Sequence, residues 1–167
     1  MPNIRDSFVS LVGYHIVRVS QRPTITAGLY GDGDALGGRL EFGNATRFPN
    51  GSGIVLSASI IDLAAQNAGI DLILFNQSFI ADVDNAVFDP TDAAHQNLVG
   101  VIKFAADETG DWVSFNDSSI ATKANLWLPF TTVGTQILYG HLRINDATPP
   151  TYAATNDITV TLHILQS

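Results

Sequence analysis

The loop Gly31-Asp32-Gly33-Asp34, with Gly37 and Gly38 just beyond it, has the small residues of a phosphate cradle. A cradle also needs a helix N-terminus behind it and usually a lysine. Here two aspartates precede the strand pattern GGRLEF and would repel phosphate, so a tight turn is the better reading. Asp32 and Asp34 are hard oxygen ligands at the spacing calcium loops use. Leu36 stands where a third ligand is wanted, and no downstream glutamate completes the set. A second acidic group, Asp82, Asp84, Asp89 and Asp92, surrounds Phe79, Val83, Val87 and Phe88 and reads as a solvated loop with one helix cap rather than a metal site.

The histidines, His15, His95, His141 and His163, lack the tight pairing of zinc motifs. His141 and His163 are expected to face outward on strands and to approach each other if those strands pair. A nucleophile elbow is missing, since the nearest match is the turn Gly51-Ser52-Gly53. Glycoside hydrolysis needs two paired carboxylates, and the glutamates are Glu41, beside a strand, and Glu108, in a turn. The residues therefore assign no catalytic group, no metal site and no cofactor, and the chain reads as a non-enzyme. Trp112 and Trp127 each stand opposite the apolar residues of their segments, Val113 and Phe115 for one and Leu126 and Leu128 for the other. An exposed tryptophan implies a contact with a sugar ring or a neighbouring subunit; the bland reading puts each in a second core under a loop.

The elements that would position these residues are strands. In DITVTLHIL, Ile158, Val160, Leu162 and Ile164 alternate with Thr159, Thr161 and His163, which gives a strand with one face in the core. QILYGHLRI sets Leu138, Leu142 and Ile144 against Tyr139, His141 and Arg143, and ANLWLPF carries a proline that demotes it to an edge strand or a strand end. Further strands are expected in VGYHIVRVS, GGRLEF, GIVLSASIID, IDLILFNQ, LVGVIKFA and DWVSF, about nine in all. IVLSASII and DLILF are too uniformly apolar for one-sided strands, which places them centrally or beneath an interface. One short helix is expected in DPTDAAHQNL, with Asp89 as cap, Pro90 in the first turn and Asp92 at the positive helix start. Alternating strands without crossover helices predict an all-β fold: an antiparallel β-sandwich, jelly-roll-like, of eight to nine strands. Residues 1–167 are expected to form one domain, with 1–12 as an N-terminal arm or edge strand.

Composition narrows the function. There is no cysteine, so disulfides, Cys-ligated zinc and thiol nucleophiles are excluded together. Sixteen acids against eight bases give a charge of −8, and the lysines are Lys103 and Lys123, which is the wrong electrostatic footprint for nucleic acid. The hydrophobic fraction is 46%, yet no apolar run approaches the roughly 20 residues that span a bilayer, and the first residues do not read as a secretory signal. Asn-x-Ser/Thr matches at Asn44, Asn50, Asn76 and Asn116 then read as products of Asn/Ser-rich turns. A charged fraction of 14% is low for a surface that meets only water, and implies that partners cover part of it.

The blocks TITAGLYGDGDALGGRLEFGNATR, IDLILFNQSF, NAVFDPTDA and DWVSFNDSSIATKANLWLPF, in this order between about Thr24 and Gln166, resemble a family of small structural proteins of tailed bacteriophages. The resemblance implies a head decoration or cement protein in the virion, made in the host cytoplasm. Such a protein sits on the outer capsid, often as a trimer, and bridges major capsid subunits. The residues expected at such interfaces are Ile4 and Phe8 in the arm, with Trp112, Trp127, Tyr139, His141 and Arg143 on the strands. The alternative is a carbohydrate-binding β-sandwich module of a phage fibre or receptor-binding protein.

Overall fold

The computed structural model describes residues 15–106 and 110–167. Within them the elements are β1 (His15–Gln21), β2 (Ala35–Phe42), β3 (Ser52–Asp62), β4 (Ile70–Phe75), α1 (Asp92–His95), β5 (Leu98–Phe104), β6 (Trp112–Ser114), β7 (Ser119–Lys123), β8 (Leu128–Thr131), β9 (Leu138–Ile144) and β10 (Ile158–Gln166). All pairings between these strands are antiparallel. One sheet runs β1-β10-β3-β7-β6 with β8 also on β3, and the other runs β2-β9-β4-β5. The long strand β3 shares one flank between two partners, since Ser52–Val55 pair with β8 and Ala58–Asp62 with β7. The order β1-β10-β3-β8 facing β2-β9-β4-β5, with the chain crossing repeatedly between the sheets, is the wrapping of an eight-stranded jelly roll. The β6–β7 hairpin is an addition to it.

Strand periodicity builds the core. Ile158, Val160, Leu162 and Ile164 of β10 meet Leu138, Leu142 and Ile144 of β9 and Ile70, Leu72 and Leu74 of β4 in the space between the sheets. Each such side chain contributes about 1.5–3 kcal/mol by leaving water. β4 is buried on both faces, as its unbroken apolar run requires. Its outer residues Ile73 and Phe75 join Tyr139, Phe79 and Ala94 in a second, smaller core beneath residues 76–97. The cover over β4 is thus the chain's own loop.

Two local features differ from expectation. The cap of α1 is Thr91, whose Oγ1 accepts from the Ala94 N–H at 3.3 Å, and Asp89 is not the cap because the helix begins only at Asp92. β7 was hidden in the sequence because its five residues, SIATK, are half polar and follow a turn signal. In β2 the ladder shifts between Leu36 and Leu40. Gly37 makes this bulge with φ +75°, and a Cβ there would come within 2.5 Å of the Pro23 Cβ, so only glycine fits.

Candidate functional site

The two outer faces of the sandwich differ. Residues 76–97 lie over the face of the smaller sheet that carries Tyr139, His141 and Arg143, and this overturns the expected exposure of Tyr139 and His141, while the Arg143 side chain stays partly exposed. Tyr139 and His141 are buried, and the Arg143 guanidinium is tied to the buried Asp71 carboxylate at 2.7 Å. Arg39 lies 5.4 Å from the Tyr139 ring centroid and pairs with Glu41 at 2.6 Å. A partner therefore meets neither Tyr139 nor His141 here. His163 sits on the other sheet with Nδ1 3.0 Å from Ser57 Oγ, so the two imidazoles belong to separate layers and do not meet.

Trp112 is a second correction. It is buried, it pairs with the core residue Ala121, and its Nε1–H donates to the Ala68 carbonyl at 3.1 Å. Val113 and Phe115, expected inside, are 58% and 60% exposed instead. A three-residue strand carries too little periodicity to fix its faces, and burying an indole removes far more apolar area than burying a valine. Trp127 does face solvent, at 63% exposed, but it does so from the turn before β8. Its φ is +48°, a left-handed conformation that costs a bulky residue on the order of 1–3 kcal/mol.

The acidic residues serve the fold. Asp84 gathers Thr26 Oγ1 at 2.6 Å, the Tyr30 hydroxyl at 2.8 Å and the Gly37 N–H at 2.5 Å, pinning residues 76–97 to β2 and to the connection that leads into it from β1. Asp34 accepts from the Gly31 N–H at 2.6 Å, whereas Asp32 accepts from the Asp146 N–H at 3.2 Å, so the two carboxylates serve different turns. Asp62 accepts from the Ala64 and Gln66 N–H groups, and burial pushes its carboxyl up against their pull. Among the described residues no three acidic or imidazole groups converge as a metal site would require. Nothing in the sequence singled out Asp84, which is one aspartate of several in a long loop.

The face of the larger sheet carries no such cover in the described structure. Its middle is polar: Ser20, Thr161, Ser59 and Thr122 are register partners across β1, β10, β3 and β7. At each end the same register lines up apolar residues. One band is Ile16, Leu165, Ile54 and Pro129, crossing β1, β10, β3 and β8. Four strands at about 4.8 Å spacing make it roughly 14 Å long. The other is Ile61, Ile120 and Val113, crossing β3, β7 and β6, with exposed Phe115 just beyond. The first band runs into a groove of about 640 Å³ between β8 and β5, lined by Ile54, Leu98, Val99, Pro129, Phe130 and Leu165 among others. The edge of β8 beside this groove is blunted. Leu126 and Thr132 donate to β3, so the alternate residue Pro129 occupies an outward position of the ladder and offers no N–H.

Bands of this kind need register, which alternation within one strand does not supply, so they were not visible before the pairing was known. Ile4 and Phe8 lie outside the described residues. The fold is that of an all-β jelly-roll sandwich, one outer face of which is bare among the described residues.

No family model matches this chain, and no curated protein does. Three solved structures similar to it come from viruses. One is of Desmodium yellow mottle tymovirus, at 12% identity over 91% of this chain and 80% of that one, with a TM-score of 0.30. The D431N mutant VP2 protein of infectious bursal disease virus, in derived T=1 particles, matches at 10% identity over 92% of this chain, TM-score 0.26. Infectious bursal disease virus Gx strain matches at 8% identity over 92% of this chain, TM-score 0.25. The chain spans 40% and 37% of those last two chains.

Proposed function

We propose that this chain is a virion structural protein, a capsid decoration or cement protein that binds the outside of an assembled phage head and bridges neighbouring major capsid subunits. The observation that carries this reading is Trp127, held exposed in a strained backbone conformation on a sandwich whose larger sheet also leaves Val113 and Phe115 in solvent. Aromatic residues anchor protein interfaces, and strain that packing does not require is retained where a site needs it. The resemblance of the sequence blocks to tailed-phage structural proteins supports the same reading. So does the employment of the titratable groups: Asp84, Asp62, Asp71 and His141 are spent on turns and packing.

Such a protein works by mass action. A ligand that binds only the assembled shell shifts the equilibrium toward that shell by RT ln(1 + [L]/Kd), about 2.7 kcal/mol per site at a hundredfold excess over Kd. Bridging copies of the chain, a trimer in this proposal, would multiply that term through shared geometry. The test is co-sedimentation with assembled heads and, separately, with unassembled major capsid subunits. Binding to heads alone, weakened at least tenfold by Trp127→Gly, is expected. Binding that is absent, or equal on the two forms, overturns the proposal.

Trp127 also favours a second reading, since an exposed indole can stack on a sugar ring. Trp112, being buried, serves as the internal reference. A glycan that changes the emission of wild type but not of Trp127→Gly would favour a carbohydrate-binding module.

A further inference from the structure

We infer that the groove between β8 and β5 is the seat of the chain's own N-terminal segment, residues 4–12. Three observations converge there. First, the apolar band Ile16, Leu165, Ile54 and Pro129 starts on β1, one residue after His15, and leads strand by strand into the groove. His15 itself is the register partner of Gln166, whose neighbours Leu165 and Ser167 both line the groove. The segment before residue 15 thus joins the sandwich at the end of the face where the groove lies.

Second, the groove has an unmet acceptor. Asn76 lines it, and Asn76 Oδ1 is buried with no hydrogen-bond partner among the described residues. A buried acceptor left unpaired is costly, on the order of 1–3 kcal/mol, and calls for a donor. A strand added to the edge of β8 would find no N–H at Pro129, so side chains rather than a ladder should hold the occupant.

Third, the segment offers the complementary chemistry. Residues 1–14, MPNIRDSFVSLVGY, carry Ile4, Phe8, Val9, Leu11 and Val12 for the band, and Ser7 and Ser10 as hydroxyl donors. Fourteen residues reach at most about 46–50 Å, against roughly 14 Å across the band, so the segment spans its own groove with length to spare. Tethering gives it an effective concentration in the millimolar range, above that of any free copy in dilute solution.

The absence of native cysteine gives a clean test in the full chain. Ser7→Cys with Pro129→Cys places one thiol beside Phe8 and one on the groove wall. The control is Ser7→Cys with Val113→Cys, at the other apolar band, about 23 Å away along β3. Under mild oxidation at micromolar protein, the groove pair should form an intrachain disulfide at least about tenfold faster than the control, as a seated segment requires. Adding Phe8→Asp to the groove pair should remove that advantage without altering the circular dichroism spectrum. Equal rates for the two pairs, no effect of Phe8→Asp, or disulfide-linked dimers as the main product would overturn the inference.

Discussion

Acidification should loosen this protein through one side chain. His141 is fully buried, with the rings of Phe79 and Phe88 centred 6.1 and 5.1 Å from its own. Nδ1 lies 2.9 Å from the Leu142 carbonyl, and Nε2 has no hydrogen-bond partner among the described residues. Burial holds its pKa below the ordinary 6.5, against the pull of the Leu142 carbonyl and of Asp82 and Asp84. In the unfolded chain the imidazole titrates near 6.5. Below that pH the unfolded state takes up a proton that the folded state refuses, so stability is full above it and falls as the pH drops toward the folded-state value. One proton is worth at most about 1.4 kcal/mol per pH unit, which limits the loss between about pH 7.5 and pH 5.5 to about 1.4 kcal/mol. Asp62, raised by burial, acts in the opposite sense, since its folded state binds the proton more readily. Comparing wild type with His141→Gln by urea unfolding at both pH values subtracts that contribution. The variant should lose about 1 kcal/mol less than wild type on acidification. Equal losses would refute the reasoning.

Other substitutions separate packing from recognition. Trp112→Phe strands the Ala68 carbonyl and opens a cavity, so urea unfolding should show a loss of about 1–3 kcal/mol. Trp127→Gly relieves a left-handed φ and removes a side chain that is mostly exposed, so the melting temperature should hold or rise while head binding falls; a lower melting temperature would place the indole in the fold. Asp84→Asn removes the charge that gathers Thr26, Tyr30 and Gly37, and should cost about 1.5–3 kcal/mol by the same assay. Hydrogen exchange on that variant should show faster exchange in residues 76–91 than in β10, and uniform loss of protection would contradict the pinning role.

How far the sequence reached depended on strand length. β10 and β9 alternate over nine and seven residues, and every inward position assigned from that alternation is in the core. The unbroken apolar run of β4 correctly indicated burial on both faces, although its cover proved to be residues 76–97 rather than a partner. Pro129 read correctly as an edge residue, because a missing N–H is a property of one residue and needs no context. Tyr139 and His141 failed for the opposite reason. Alternation says which residues share a face but not whether something lies on that face, and only long-range packing of Phe79 and Phe88 decides it. For Trp112 the three-residue strand left the faces to compete, and the larger side chain took the inside.

The two outer faces follow from what each would expose. Ile73, Phe75 and Tyr139 form an apolar patch on the smaller sheet too large to leave wet, and the long connection from β4 to β5 closes over it. Across the middle of the larger sheet the outward row Ser20, Thr161, Ser59 and Thr122 carries hydroxyls that water or a neighbour satisfies, as Ser20 Oγ does for the buried Thr161 at 2.8 Å, so no cover is required there. What remains is apolar material at the two ends of one face. If residues 4–12 fill the groove near Ile54, the surface left for a capsid or a sugar is the Trp127 turn at the start of β8 and the other end of the face, with Val113 and Phe115. Substitutions at Tyr139 or His141 should then alter binding only as far as they alter folding, whereas Val113→Asp should abolish binding at unchanged stability. That separation, measured on one set of variants, distinguishes an interface placed by this face from one placed by the covered sheet.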